Sequence, residues 1–348
     1  MSQVTASSPQ ASTSTDVANQ GPLGKLSGLI GGSPAWPMAI TRMVFGALWL
    51  ISLRWKLPPN FEGSGDTRGL EDWLNEIVAN PAFGFYGDFV DSVVLPNITL
   101  FGWLLFLTEL FVGAALLFGV AIRPAALIGF GLSFNLWLAV QDVPGEWHWT
   151  YVLMAAFHAA IFVSPKAATW AIAPEAGWSA KSGIPVKRPE DLSATILRVT
   201  LGVVTLATWW SNIQGDFYDG DNFVGFFDWV FTSFPDGNGS SLGSVVRPIL
   251  DVTILSNAEI FGWILTFVEL GIGVGLVLGL FTRAASLTAV AFFGNLFLVY
   301  FGGHEWIFIY VMLTGAAALS FINWGGRVAG ADQVIAKAKG ESPGTLIW

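Results

Sequence analysis

Long apolar runs separated by polar loops dominate the pattern of this chain. The runs are 15 to 24 residues long, and a helix that crosses a bilayer needs about 20 mostly apolar residues. The pattern therefore predicts an all-α integral membrane protein. We predict eight transmembrane helices, at residues 36–53, 98–120, 124–140, 149–163, 192–210, 258–281, 284–301 and 306–322.

The predicted spans form two groups of four that repeat one sequence pattern. Adding 160 to positions 98–140 aligns them with positions 258–300, and 15 of the 43 pairs are identical. The less common matches are Trp103/Trp263, Glu109/Glu269, Arg123/Arg283 and Asn135/Asn295. Such residues rarely match by chance in apolar helices, so we predict an internal repeat. Because each copy has an even number of spans, we expect two parallel four-helix bundles.

The repeat divides the chain into five parts. We expect a disordered tail at 1–35, a first repeat at 36–173, a linker at 174–191, a second repeat at 192–325 and a tail at 326–348. Most Lys and Arg residues fall on one side of the spans, which places both termini in the cytoplasm of a plasma membrane. The acidic loops on the other side are typical of an archaeal or other prokaryotic membrane.

The long outer loops exceed the length of simple connectors. Amphipathic stretches at residues 70–77, 83–95 and 223–234 predict short interfacial helices within them. In the sixth span, Gly271, Gly275 and Gly279 are spaced four apart, which predicts a face for close helix packing.

Composition narrows the chemistry further. The chain has no cysteine, which excludes disulfides, thiolate catalysis and iron–sulfur ligation. Its three histidines are scattered, so no metal site is predicted. The net charge is −9 and no basic stripe is present, so nucleic acid is not expected as a partner. The lipid bilayer is the expected environment.

Two glutamates lie inside predicted spans. Glu109 and Glu269 are each 11 residues into a span, about 16 Å along a helix and near the midplane. A carboxylate there is costly and needs a partner. We expect Arg42 to pair with Glu109, and Arg198 to pair with Glu269. Such a pair could fix helix register, or it could form a proton or quinone-headgroup site.

Other polar residues break the symmetry of the repeat or lie near the membrane surface. His158 lies inside the fourth span and aligns with Ala317, which favours the first copy for an active site. Glu146 and His148 lie just before that span, with Tyr151 following, and a histidine and a glutamate at the membrane surface could move protons, although polar and aromatic residues also suit that depth without any function. Asn135 lies mid-span, where asparagine more often joins helices than binds ligands.

These polar residues resemble the DoxX/DoxD superfamily of membrane proteins. The first copy reads Arg42-x3-Gly46, then Lys56, then Glu109-x3-Gly113-x5-Gly119-x3-Arg123. The second copy reads Arg198-x3-Gly202, then Glu269-x3-Gly273-x5-Gly279-x3-Arg283. The resemblance covers most of residues 36–323. Most members are single four-helix units, so this chain is similar to a fused pair.

The resemblance implies a redox function. DoxD-like proteins are a membrane subunit of thiosulfate:quinone oxidoreductase, whereas many DoxX-like members have no assigned activity. Asn212 replaces the lysine expected 14 residues after Arg198, so a functional site is expected in the first copy. The candidate catalytic residues are Glu109, His158 and Arg42. The candidate quinone-binding residues are Lys56, Glu109, Asn135 and Trp103.

Three functions remain open from the sequence, and the sequence does not decide whether the chain is an enzyme. The first is a quinone-linked oxidoreductase subunit that receives electrons from a sulfur compound or from a soluble or membrane partner subunit. The second is a non-enzymatic scaffold or assembly protein, favoured by the lack of a catalytic cluster. The third is a carrier of small solutes or ions.

Overall fold

A computed structural model of the chain describes residues 35–59, 61, 63–64, 67–173, 189–232, 243–300, 308–323, 326 and 328–340. Nearly all of the first predicted tail, most of the linker, the start of the eighth predicted span and the last eight residues of the chain lie outside these residues. The α-helices are α1 (Trp36–Ser52), α2 (Leu70–Ala79), α3 (Gly84–Phe89), α4 (Ile98–Phe118), α5 (Ile122–Ala139), α6 (Trp149–Val163), α7 (Pro189–Gln214), α8 (Gly220–Thr232), α9 (Gly243–Thr253), α10 (Ala258–Leu278), α11 (Thr282–Tyr300), α12 (Phe308–Ile322) and α13 (Ala331–Lys339).

Short irregular elements complete the described chain. The 3₁₀ turn Leu53–Lys56 continues α1, and two-residue strands, Gly63–Ser64 and Thr67–Arg68, pair antiparallel in the following loop. The predicted interfacial stretches are helical as α2, α3 and α8, whereas α9 was not predicted. A π-helical turn, Val90–Val94, and a 3₁₀ turn, Leu95–Asn97, join α3 to α4, so the second predicted span has a long helical extension.

Within the described chain, six helical segments are long and apolar enough to cross a membrane. They are Trp36–Lys56, Gly84–Phe118, Ile122–Ala139, Leu192–Gln214, Val245–Leu278 and Thr282–Tyr300. The helices α6 and α12 are also apolar but have only 15 residues each. The prediction of a helical membrane protein with several spans is therefore confirmed.

Corresponding helices pack together in the two halves of the chain. In the first half α1 packs on α4 and α5 on α6, and in the second half α7 packs on α10 and α11 on α12. The halves meet where α7 packs against α6. One cluster of buried apolar side chains, which includes Phe45, Leu153, Leu201 and Ile272, continues through both halves.

Glycines allow the closest helix contacts, but not all at the predicted positions. A Cβ atom on Gly46 would overlap the backbone of Leu117, and one on Gly202 would lie 2.7 Å from the backbone nitrogen of Val277. A Cβ atom at position 271 would have no neighbour within 4 Å outside its own helix, and Gly271 is exposed. The predicted packing face is therefore wrong at Gly271, because this residue points away from the neighbouring helices.

The chain turns in the same way after α4 and after α10. Both helices end at a glycine in the left-handed region, Gly119 with φ 72° and Gly279 with φ 63°. The segment beyond the fourth helix of each half returns to this turn: Ile172 N–H donates to Phe118 O at 3.0 Å, and Asp332 N–H donates to Gly279 O at 2.9 Å. Each turn thus becomes a junction of three chain segments.

Candidate functional site

A buried ion pair lies at the end of α1 in the first half. The 3₁₀ turn after α1 directs Lys56 inward, and its Nζ lies 2.5 Å from Oε1 and 2.7 Å from Oε2 of Glu109. Only 5% of Lys56 and 1% of Glu109 is exposed. The ammonium also lies 4.3 Å from the ring centre of Trp55. The two charges neutralise each other in a region where either one alone would be costly.

The predicted pairing of Arg42 with Glu109 is wrong. The Arg42 guanidinium donates to Leu116 O, to Leu117 O at 3.3 Å and to Thr169 O at 3.4 Å. Leu116 lies seven residues beyond Glu109, about 10 Å along α4. The last carbonyls of a helix have no partner within the helix and carry partial negative charge, so they attract a guanidinium with several donors.

Arg198 makes the corresponding contacts in the second half, so its predicted pairing with Glu269 is also wrong. It donates to Leu276 O, to Val277 O at 3.2 Å and to Ala329 O at 3.0 Å. Thr169 and Ala329 are 160 residues apart, the offset that also aligns residues 98–140 with 258–300. Both arginines are fully buried and tie three chain segments together. Their role here is structural support of the helix end.

The partner of the second buried carboxylate differs from that of the first. Asn212, 14 residues after Arg198 as Lys56 is 14 residues after Arg42, donates from Nδ2 to Oε2 of Glu269 at 2.9 Å. An amide therefore takes the place of the ammonium, and the ion pair of the first half has no counterpart there.

Glu146 lies in the loop that joins α5 to α6, and Tyr151 lies in the first turn of α6. The Tyr151 hydroxyl donates to Oε2 of Glu146 at 3.0 Å, and Tyr151 lies within electrostatic range of Glu109. Burial raises the pKa of Glu146, while the hydrogen bond from Tyr151 lowers it in part. A raised pKa brings a carboxyl group closer to neutral pH, where it exchanges protons most effectively.

His158 and Trp49 form a second polar contact deeper in the first half. Trp49 Nε1 donates to His158 Nε2 at 3.0 Å, and His158 is fully buried. Because Nε2 accepts this bond, the neutral ring carries its proton on Nδ1. Among the described residues, no group accepts a hydrogen bond from that nitrogen. The ring of Phe45 packs against the imidazole with a centroid distance of 4.7 Å.

Helix geometry relates the Lys56–Glu109 ion pair to the Trp49–His158 hydrogen bond. Trp49 and Lys56 are seven residues apart, as are Tyr151 and His158, and seven residues are nearly two turns of a helix, about 10 Å. Each pair therefore lies on one face of its own segment. Glu146, Tyr151, Glu109, Lys56, Trp49 and His158 together form what we term the polar ladder.

A family comparison identifies part of the chain. The DoxX family model matches residues 193–304, which include Arg198, Asn212 and Glu269. The chain contains a DoxX domain. The predicted resemblance is thereby confirmed for this part of the chain, while the first half as a second such unit remains a prediction. Among curated proteins and among solved structures, no match to the chain was found.

The DoxX domain lacks the deeper contact of the polar ladder. At the position of Trp49 it has Thr205, whose hydroxyl donates to Leu201 O at 2.8 Å, and at the position of His158 the second half has Ala317, beyond the matched residues. The contacts therefore differ between the halves, as the sequence predicts. The first half has the six polar side chains of the polar ladder, whereas in the DoxX domain the carboxylate of Glu269 is hydrogen-bonded to the amide of Asn212.

Two of the predicted quinone-binding residues lie away from the ion pair. Trp103 is 40% exposed, and its ring contacts those of Phe61 and Phe106. Asn135 is exposed on α5 and accepts a hydrogen bond from the Tyr86 hydroxyl at 3.1 Å. The structure therefore brings together Glu109 and Lys56, and places His158 deeper in the same half. It separates Arg42, Trp103 and Asn135 from them.

Sequence reasoning missed Trp49 and the true partner of Glu109. Trp49 is one of 17 tryptophans, and nothing local marks it as a hydrogen-bond donor to a buried histidine. The resemblance groups Lys56 with Glu109 among the candidate quinone-binding residues, and that grouping is the signal available in the sequence for the ion pair.

Gly129 on α5 holds the His158 ring in place. A Cβ atom at position 129 would overlap the imidazole, so Gly129→Ala is expected to displace the ring, break the bond from Trp49 and cost about 1–3 kcal/mol of stability. Thermal unfolding of the detergent-purified protein measures this cost. Gly131→Ala is the matched control, because nothing lies within 4 Å of its Cβ position. Equal stability of the two variants would contradict the contact.

Proposed function

We propose that the chain is the quinone-binding membrane subunit of an oxidoreductase, with the Lys56–Glu109 pair as the site of the quinone headgroup. The observation that supports this most is the polar ladder, which combines a buried cation, two carboxyl groups, a tyrosine and a histidine in the first half. Ionisable residues inside a membrane are costly and usually mark a functional site.

The donors available at the ion pair suit a quinone substrate. An ammonium has three N–H donors, and Glu109 accepts two of them through its two carboxylate oxygens. The third is left for a ketone oxygen. A small pocket beside Trp49, lined in part by Phe45, Ser52 and Met154, has room for about one water molecule. Binding of a headgroup would therefore involve movement of the side chains around the pair.

Reduction of a quinone to a quinol takes up two electrons and two protons. Glu146 and Tyr151 would take protons from the water outside and deliver them to Glu109, which lies within electrostatic range of Tyr151. The two electrons would come from a sulfur compound such as thiosulfate, or from a partner subunit, because the chain has no cysteine with which to carry them. Lys56 would stabilise the negative charge that develops on the quinone oxygen.

The proposal includes a membrane topology. We propose that α6 and α12 complete eight spans as two parallel four-helix bundles in the plasma membrane, with both termini in the cytoplasm. Lys166, Lys337 and Lys339 then lie inside, in agreement with the positive-inside rule. Glu146 and the loops that contain α2, α8 and α9 lie outside.

Tyr151→Phe tests the proton path with little change in packing. The variant is expected to lower the rate of thiosulfate-dependent quinone reduction by about 10²-fold, the smaller end of what a positioned acid or base contributes. The assay uses the purified chain, with and without its neighbouring subunit. Tyr310→Phe is the matched control, because Tyr310 occupies the corresponding helix α12. Equal rates for the two variants, or no quinone reduction by the native protein, would contradict the proposal.

A second candidate function is a non-enzymatic scaffold. It is favoured by the ion pair itself, in which both carboxylate oxygens of Glu109 accept from the ammonium, and by the arginine contacts at the helix end, which are repeated in both halves. The scaffold function is expected to give no quinone reduction, and substitutions of the ladder would then change stability alone.

A further inference from the structure

The strongest unexplained feature is the carboxylate of the DoxX domain. Glu269 is 6% exposed on α10, and it aligns with Glu109 of the first half. Glu109 meets the ammonium of Lys56, whereas Glu269 meets the amide of Asn212. The two halves therefore present the same buried acid with two different partners, one charged and one neutral.

The charged groups on the elements around α10 are engaged elsewhere or lie far along the helix. Arg198 of α7 binds Val277 O at 3.2 Å, eight residues beyond Glu269, and Glu259 precedes it by ten residues. The remaining titratable groups on the packed segments are Asp216, Tyr218, Asp219, Asp221, Asp228, Arg283 and Tyr300. Of the described residues, only Asn212 interacts with the Glu269 carboxyl group.

A buried carboxylate without a counter-charge costs several kcal/mol or more. Two species from solution could remove that cost, a proton or a metal cation. Asn212 turns its N–H group to the carboxyl oxygen, which suits the carbonyl oxygen of a neutral acid. A metal cation instead needs several oxygen ligands, and no group of three or more His, Cys, Asp and Glu side chains that could hold a metal is found among the described residues.

We propose that Glu269 is a proton-binding site of the DoxX domain. Its carboxylate takes a proton from hydronium and releases a water molecule, and the reverse step returns the proton to water. Lys56 performs the same neutralisation permanently for Glu109, so the replacement of lysine by asparagine in the second half converts a fixed ion pair into an exchangeable site. This inference does not depend on quinone binding, and it gives the DoxX domain a function beyond structural support.

Infrared spectroscopy of the full chain in phosphatidylcholine nanodiscs tests the proposal. A protonated carboxyl group has its own carbonyl band at neutral pH, and this band is expected to disappear in Glu269→Gln. Transfer of the native protein to D₂O is expected to shift the band, which shows exchange with water without any substitution. Glu259→Gln is the matched control, because Glu259 is exposed on the same helix.

Exchanging the partner residues of the two glutamates, Asn212 and Lys56, provides a stricter test. Asn212→Lys is expected to remove the protonated band by creating a second ion pair, and Lys56→Asn is expected to add a band from Glu109. Protonated carboxyl bands that are the same in the native protein and in Glu269→Gln would overturn the proposal. So would a carboxylate band of Glu269 that changes when sodium is replaced by choline, because a metal cation would then neutralise the site.

Discussion

Lys56→Met is expected to reduce the free energy of unfolding by about 3–5 kcal/mol, the usual effect of removing one partner of a buried ion pair. The Glu109 carboxylate, 1% exposed, would lose both of its bonds to the ammonium. The loss is measured by unfolding the detergent-purified protein with heat or with a denaturing detergent. Lys337→Met is the control, because Lys337 is exposed on α13, and it is expected to change stability by less than about 0.5 kcal/mol.

The double variant Lys56→Met with Glu109→Leu separates the two proposed roles of the pair. Replacement of both charges by apolar side chains is often neutral or stabilising, so most of the lost stability is expected to return. Quinone reduction is expected to remain absent in the double variant. If activity returns together with stability, the pair is a structural contact and the headgroup site lies elsewhere.

Arg42→Leu is expected to cost about 3 kcal/mol or more, because each buried acceptor left without a donor costs about 1–3 kcal/mol. The variant removes the donors to Leu116 O, Leu117 O and Thr169 O. Resistance to unfolding is again the measurement. Arg198→Leu is expected to have a similar effect on the DoxX domain.

Two further variants test whether the loss of stability in Arg42→Leu comes from the guanidinium contacts at the helix end. Arg54→Leu removes an exposed arginine near the end of the same segment and is expected to have little effect. Arg42→Lys is expected to restore only part of the stability, since a single ammonium cannot reproduce the planar fork of donors that spans the helix end and Thr169 O. Full rescue by lysine would show that charge alone, and not the shape of the guanidinium, stabilises the helix end.

Residues that align between the two halves have different partners in the structure, and we expect them to have different roles. Both halves keep the arginine at the helix end, and both keep the buried glutamate. The first half adds Lys56, Trp49 and His158 to its polar ladder, whereas the DoxX domain has Asn212 beside the glutamate. The arginines support the structure of each half, and the chemistry is expected at the glutamates.

The sequence by itself determined the helical membrane class, the approximate limits of the spans and the presence of buried carboxylates that need partners. Apolar length decides whether a segment can enter a bilayer, and that property is local. The resemblance to the DoxX/DoxD superfamily also rested on a few polar residues, and the family match to residues 193–304 confirmed it there.

Only the tertiary structure decided which groups meet. A helix that is apolar on all sides does not reveal which face meets its neighbours, and Trp103 and Asn135, which were predicted at the quinone site, are exposed. The partner of Arg42 is a set of backbone carbonyls, which every residue has and no sequence motif marks. Glu109 pairs with Lys56 because the 3₁₀ turn after α1 brings that ammonium within 2.5 Å, a contact set by packing across 53 residues of chain.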